Sequence, residues 1–164
     1  MSGTQLSAEN ESLKISAEVI NFMKRRFHTV TCMLIWNSLI LLLKRSNKVN
    51  INPELWCGVA GRIEDNLSPE ETAYKEILEE TGLRREEIEL LGSAPPILVE
   101  IDDKNEAVVY PFLFRTENSN IRLDWEHTDY RWVKPEMVDE FETVPKLKKV
   151  IEALLHFMDS NPDI

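Results

Sequence analysis

Apolar residues recur along this chain with two different periods, and the changes between them mark out its elements. Residues 1–12 are polar. Between Ile15 and Phe27, the residues Ile15, Val19, Phe22 and Met23 fall at i, i+4, i+7 and i+8, a helical stripe. Lys24, Arg25 and Arg26 occupy its last turn, where cations suit the helix dipole. Two apolar runs follow, Thr29–Trp36 and Leu39–Arg45, with Asn37-Ser38 between them, a pattern that predicts a β-hairpin. Asn50-Ile51-Asn52-Pro53 reads as loop, and the short apolar run Leu55–Ala60 leads into Gly61.

The clearest helix begins at Ser68. Ser68 is a good N-cap, Pro69 suits the first helical position, and Glu71 stands where a capping box needs it. The helical pattern runs to Thr81, and Gly82 supplies a left-handed terminator. Strands are expected at Ile88–Leu91, Ile97–Ile101, Ala107–Phe114 and Arg131–Val133, with Asp102-Asp103-Lys104-Asn105 turning between the second and third. Pro111 predicts that its strand lies at an edge or a bulge. In Pro145–Met158, Leu147, Val150, Ile151, Leu154 and Leu155 share one face of an amphipathic helix. A hairpin, a helix, several strands and a terminal helix imply an α/β sandwich with a mixed sheet.

Composition narrows the picture. The 164 residues suit one domain, and 43% apolar with 29% charged residues is ordinary globular usage. A net charge of −10 leaves no basic excess for nonspecific nucleic-acid binding. An acidic protein still binds a polyphosphate when a divalent cation lies between them. Cys32 and Cys57 sit in apolar surroundings without C-x-x-C spacing and are read as buried reduced thiols. The opening Met-Ser-Gly-Thr-Gln-Leu lacks the basic and apolar regions of a signal peptide. The most apolar stretch, Thr29 to Leu43, is shorter than the ~20 residues of a bilayer span. The expectation is a cytoplasmic protein without a membrane partner.

Glu76, Glu79 and Glu80 are spaced i, i+3 and i+4, so their carboxylates converge on one face of the Ser68–Thr81 helix. Two unit charges ~4 Å apart repel by roughly 4 kcal/mol at an effective dielectric near 20 and by about 1 kcal/mol in water. Such a cluster stays fully solvated or holds a cation, and hard carboxylate oxygens favour Mg²⁺, Mn²⁺ or Ca²⁺ over zinc. From this spacing alone, a solvated acidic face is the commoner outcome.

The wider context resembles the Nudix family, whose box reads G-x5-E-x7-R-E-U-x-E-E-x-G-U, with U aliphatic. Counting from Gly61, the chain supplies Gly61, Glu76, Ile77, Glu79, Glu80, Gly82 and Leu83, seven of nine specified positions. Trp56, Ile63-Glu64 and Ser68-Pro69-Glu70-Glu71 resemble common flanks of that box. Two positions depart from it: Leu67 replaces the first Glu, and Lys75 replaces the Arg that orients the glutamates. Lys keeps the charge but lacks the planar two-pronged fork of Arg.

The resemblance implies an α/β/α sandwich with a central mixed sheet over residues 28–158. Residues 1–27 would form a loose N-terminus and an appended helix, and residues 159–164 a tail. It also implies a Mg²⁺- or Mn²⁺-dependent pyrophosphohydrolase that cleaves a nucleoside diphosphate linked to another moiety by water attack on phosphorus. Glu76, Glu79, Glu80 and the Ala60 carbonyl would bind the metal, and Lys75 would stand in for the orienting Arg. Family members often recruit a further glutamate from a downstream loop. The stretch Trp125-Glu126-His127-Thr128-Asp129-Tyr130-Arg131-Trp132 resembles the E-H-x-x-Y-R-W segment of several subgroups, which nominates Glu126 as base or ligand. His127 is an alternative base or a loop-holding hydrogen-bonding group. Trp132 is read as core, while Trp56 and Trp125 are read either as packing or as a nucleobase platform.

A second reading, favoured by Leu67 and Lys75, is a catalytically weakened Nudix module that binds a nucleotide or a protein. Phosphate-loop and serine-hydrolase chemistry is excluded, because G-x-x-x-x-G-K-[ST] and G-x-S-x-G are both missing. Substrate choice is expected to lie in residues 46–54 and 116–128. The stripe at residues 15–27 has no place in a minimal Nudix fold. It either caps the domain or meets a second subunit, and of these a homodimer is preferred.

Overall fold

The structure, a computed structural model, describes residues 8–11, 14 and 24–164. Its centre is a single eight-stranded mixed sheet. Strands β1 (Arg25–Trp36) and β2 (Leu39–Arg45) form the expected hairpin, paired Ile35 to Ile40 and Trp36 to Leu39. Asn37 and Ser38 take φ of 48° and 64°, the left-handed values of the two-residue turn that matches strand twist. The apolar run before Gly61 divides at Gly58. Strand β3 (Trp56–Cys57) pairs with β2, and β4 (Val59–Arg62) pairs with β1.

Helix α1 (Pro69–Thr81) carries the caps expected of it. Glu71 N–H donates to Ser68 Oγ at 3.1 Å, Ser68 N–H donates to Glu71 Oε2 at 3.3 Å, and Gly82 closes the helix at φ 74°. Strands β5 (Ile88–Ser93), β6 (Ile97–Glu100), β7 (Asn105–Thr116) and β8 (His127–Val133) follow, and α2 (Leu147–Asp159) ends the fold. Each expected strand is present, although β7 and β8 are longer than periodicity indicates. β8 begins at His127 rather than Arg131 because its ladder with β2 continues that far.

Two expectations are corrected. Arg25, Arg26 and Phe27 are not the end of a helix; they open β1, held in parallel register against Asn105, Glu106 and Ala107 of β7. Residues 15–23 lie outside the described residues, and the appended helix and the homodimer inferred from its stripe rest on them. Pro111 is neither on an edge strand, since β7 runs between β1 on one side and both β5 and β6 on the other, nor at the bulge, which falls between Leu90 and Gly92 of β5. The β5 ladder reaches only to Phe112 and the β6 ladder only to Val109, so Pro111 falls in the gap between them. Its carbonyl accepts from Ala94 N–H at 3.2 Å, and no ladder bond there needs the proton that proline lacks.

The period of two in the central strands divides the core between the faces of the sheet. Val30, Cys32, Leu34, Leu41, Leu43, Phe112 and Phe114 meet Ala73 and Ile77 of α1. Met33, Ile35, Ile40, Leu42, Val109 and Leu113 meet Leu147, Val150, Ile151 and Leu154 of α2. One helix on each face completes the α/β/α sandwich, and both cysteines are free and buried within it. Among the described residues, no helix is long and apolar enough to cross a membrane. Leu154 is fully buried while Leu155 is only partly so. Leu154→Ala is therefore expected to cost about 2–5 kcal/mol in urea unfolding, and Leu155→Ala distinctly less.

Candidate metal centre

Three segments from different parts of the sheet converge on one face of α1. Strand β4 delivers Ala60 and Gly61, α1 delivers Lys75, Glu76 and Glu79, and the loop before β8 delivers Asp124, Trp125 and Glu126. With Arg45, Arg62 and Glu64 they line a cleft of about 460 Å³. The loop is fastened at both ends, one to the end of β2 and the other to the end of α1. Ser46 N–H donates to the Glu126 carbonyl at 2.7 Å, Arg122 N–H donates to the Thr81 carbonyl at 2.9 Å, and the β2–β8 ladder sets His127 opposite Arg45.

Gly61 is needed here for space. A Cβ built on it would fall inside the Glu76 carboxyl group, so any larger residue displaces that side chain from the cleft. Glu76 is half-buried, and its pKa rises to about 7. Burial is the largest cause; the negative charges of Glu79, Glu126 and Asp124 add to it, while Lys75 opposes them. Glu80 lies behind the cleft with 2% of its surface exposed. Burial, then Glu76, Asp124 and Glu126, pushes its carboxyl well above the usual range, against one donor, the Ala60 N–H at 3.2 Å from Oε2. Glu79 is the exposed member of the trio, with Lys75 Nζ at 3.9 Å from its Oε1 and 3.3 Å from Glu64 Oε1. Lys75 thus touches two carboxylates through single contacts, as a point charge does.

The other nominated residues separate clearly. Glu126 is partly buried and near Glu80. His127 is buried behind both, with Nδ1 2.7 Å from Asp124 Oδ1 and Nε2 3.4 Å from Glu80 Oε1. Oxygen or nitrogen atoms of Glu80, Glu126 and His127 lie within 4.8 Å of one another. Leu67 sits half-buried in the preceding loop and does not line the cleft. Trp125 is 69% exposed and lines the cleft, whereas Trp56 packs edge-on against Phe141 beside the α2 core. Trp132 packs on Trp36 and donates its indole N–H to the Ser119 carbonyl at 2.9 Å.

Sequence reasoning missed Asp124, Arg45 and Arg62. Asp124 stands three residues before His127, a spacing visible in the sequence, but what it signals is seen only when His127 is found buried. Arg45 closes a strand far from the box, and no local signal marks it.

A glycine-to-helix unit docked across a mixed sheet, with carboxylates turned into a cleft beside the first glycine, is the arrangement that defines the Nudix class of proteins. The family model described as the NUDIX domain matches residues 26–154, and the chain belongs to this family. Among solved structures, the MutT protein from Methanosarcina mazei Go1 superposes with a TM-score of 0.68 at 23% identity, over 84% of this chain and 96% of that one. The Ap4A hydrolase of C. elegans gives a TM-score of 0.69 at 16% identity, over 82% and 98%. The NUDIX domain of Shewanella oneidensis NrtR, complexed with ADP ribose, gives 0.66 at 19%, over 84% and 92%. At these identities the likeness is one of fold.

The donor set fits a divalent cation. Several hard oxygens converge, one of them on a buried carboxyl group with a single N–H donor, and the lysine beside them is exposed. Without a cation the cluster is relieved by taking up protons, which has a thermodynamic consequence. Glu76 and Glu80 have folded pKa values above the 4.5 of the free side chain, so between pH 4.5 and about 7 the native state binds more protons than the unfolded chain. Stability of the metal-free protein is therefore expected to fall as pH rises through that window. Thermal melts in chelator should show this slope, Glu80→Gln should flatten it, and Mg²⁺ should restore stability at its upper end. A Glu80→Gln protein with the wild-type slope would contradict this origin.

Proposed function

We propose that this chain is a divalent-cation-dependent pyrophosphohydrolase acting on a nucleoside diphosphate linked to another moiety. The observation that carries the reading is the convergence of Glu76, Glu79 and Glu126 on one cleft beside the opening left by Gly61, with Glu80 directly behind them. Glu76, Glu79, Glu80 and the Ala60 carbonyl would hold Mg²⁺ or Mn²⁺, which when bound polarises phosphoryl oxygens and lowers the pKa of water.

The chain's own side chains have separable tasks in this reading. Arg45 and Arg62 place positive charge on the cleft wall, where a polyphosphate would otherwise meet only carboxylates. Arg62 is held over the Phe27 ring at 4.2 Å, which fixes its guanidinium at the rim. Lys75 steadies Glu79 and Glu64. Glu126 comes from the loop rather than the helix and faces the helix carboxylates, where it would serve as base or as a further metal ligand. Trp125 offers an exposed indole face at the mouth of the cleft for a nucleobase. Leu67 supplies no acid, so Glu126 is the carboxylate outside the helix left to either task.

A panel of nucleoside diphosphate derivatives with Mg²⁺ or Mn²⁺ tests the reading. It should begin with ADP-ribose and dinucleoside polyphosphates, the ligand classes named for two structural neighbours. Mononucleotide or phosphate release is expected from the wild type and not from the double variant Glu79→Gln, Glu80→Gln. Equal turnover by both would sink the proposed site. Leu67 in the place of the box acid favours one second reading, a nucleotide-binding Nudix module, and metal-dependent binding without turnover by the wild type would assign it. In either case Trp125→Ala is expected to raise KM or Kd by about tenfold, the worth of one stacked base, and to leave kcat nearly unchanged. Steady-state kinetics or a binding isotherm measures this.

A further inference from the structure

His127 lies deeper than the cleft carboxylates, and its two ring nitrogens face different things. Nδ1 is 2.7 Å from Asp124 Oδ1, so its proton goes to that carboxylate and the tautomer is set. Nε2 then carries a lone pair, 3.4 Å from Glu80 Oε1, an acceptor. The other neighbour is Cys57 Sγ at 3.7 Å, whose S–H has the Leu43 carbonyl closer, at 3.4 Å. His127 Nε2 and Glu80 Oε1 thus face one another at 3.4 Å, with the Cys57 thiol as a further neighbour of the nitrogen. A metal ion placed between them would meet one nitrogen and one oxygen donor.

We propose that Glu80, Glu126 and His127 Nε2 form a mixed oxygen–nitrogen cation site that takes a first-row transition ion such as Mn²⁺ in preference to Mg²⁺. Three features carry it. The donor atoms of all three residues lie within 4.8 Å of one another, a span that one ion bridges. The His127 side chain is fully buried and aimed into the group. A carboxylate on the distal ring nitrogen is the usual outer partner of a metal-bound imidazole, fixing its orientation and raising its basicity, and Asp124 occupies that position. The nitrogen sets the preference: Mg²⁺ demands oxygen ligands and parts reluctantly with its waters, whereas transition ions accept imidazole. Asp124 is a positioning residue in this site, acting through the ring.

The site deepens the metal centre of the proposed hydrolase and rests on that reading for its carboxylates, so it is tested without substrate. Mn²⁺ is added to the metal-free full chain, and the bound ion is examined by pulsed electron paramagnetic resonance for coupling to an imidazole ¹⁴N. Free Mn²⁺ is counted by its solution signal, and Mg²⁺ affinity is obtained by competition. The wild type should show the nitrogen coupling, and His127→Gln should lose it. Mn²⁺ affinity should fall about 10–100-fold in His127→Gln and in Asp124→Asn, while Mg²⁺ affinity moves much less. A wild-type Mn²⁺ complex without nitrogen coupling overturns the site. This wild-type result decides the matter even where a buried variant fails to fold. Parallel losses of Mn²⁺ and Mg²⁺ affinity in well-folded variants also overturn the preference. Nitrogen-coupled Mn²⁺ in a chain that hydrolyses nothing would retire the hydrolase reading alone; hydrolysis without nitrogen coupling would retire this site alone.

Discussion

Burying the Glu80 carboxyl is the constraint on which the functional half of this molecule depends. Ala73 and Ile77 seat α1 against the sheet, and that docking carries Glu80 out of water on the same helix. The charges that press on it are further carboxylates, and Lys75, 3.9 Å from Glu79, is more than a third exposed. An exposed ion pair contributes about 0–1 kcal/mol, against roughly 4 kcal/mol of repulsion for one close carboxylate pair at intermediate dielectric. Lysine cannot balance that account, so the cluster must take protons or a multivalent ion. The same comparison makes the replacement of the box arginine tolerable: the residue at position 75 trims the field without governing it.

The sandwich separates support from chemistry. The α2 side is a continuous apolar layer with Trp56 and Phe141 at its margin, and no nominated ligand lies in it. The α1 side has a comparable core only beneath the helix; the rest of that face is given to carboxylates, the loop ahead of β8 and two arginines. A protein of net charge −10 would repel a polyphosphate over most of its surface, and these arginines, with a cation bound as proposed, would make the cleft an exception.

What the sequence shows well is what short-range chemistry controls. Ser68, Pro69, Glu71 and Gly82 announce both ends of α1, and Asn37-Ser38 announces the hairpin, because caps and turns are made by neighbours. The three helix carboxylates follow from the period of 3.6 residues once the helix is placed. Arg25–Phe27 were misread because basic residues after an apolar stripe look like a helix terminus, and only β7, some eighty positions away, makes them a strand. Pro111 was misjudged because a proline reports a missing donor, and an interior gap between two short partners satisfies that as well as an edge does. Asp124, His127 and Glu80 come together by tertiary packing, which periodicity cannot express.

The long parallel ladder between β1 and β7 has a kinetic side. Its partners, from Arg25 with Asn105 to Ile35 with Arg115, are joined by a chain segment that contains the whole box helix. Loop-closure entropy must be met before such distant pairs reward the chain, so this ladder belongs to the slow, high-contact-order part of folding. β8, which brings His127 and anchors the Glu126 loop, is made later still by the ribosome. Glu76, Glu79 and Glu80 are therefore synthesised before the loop and strand that complete the cleft. The electrostatic tension belongs to the closed fold alone, where the loop ahead of β8 sets Asp124 and Glu126 against the helix carboxylates.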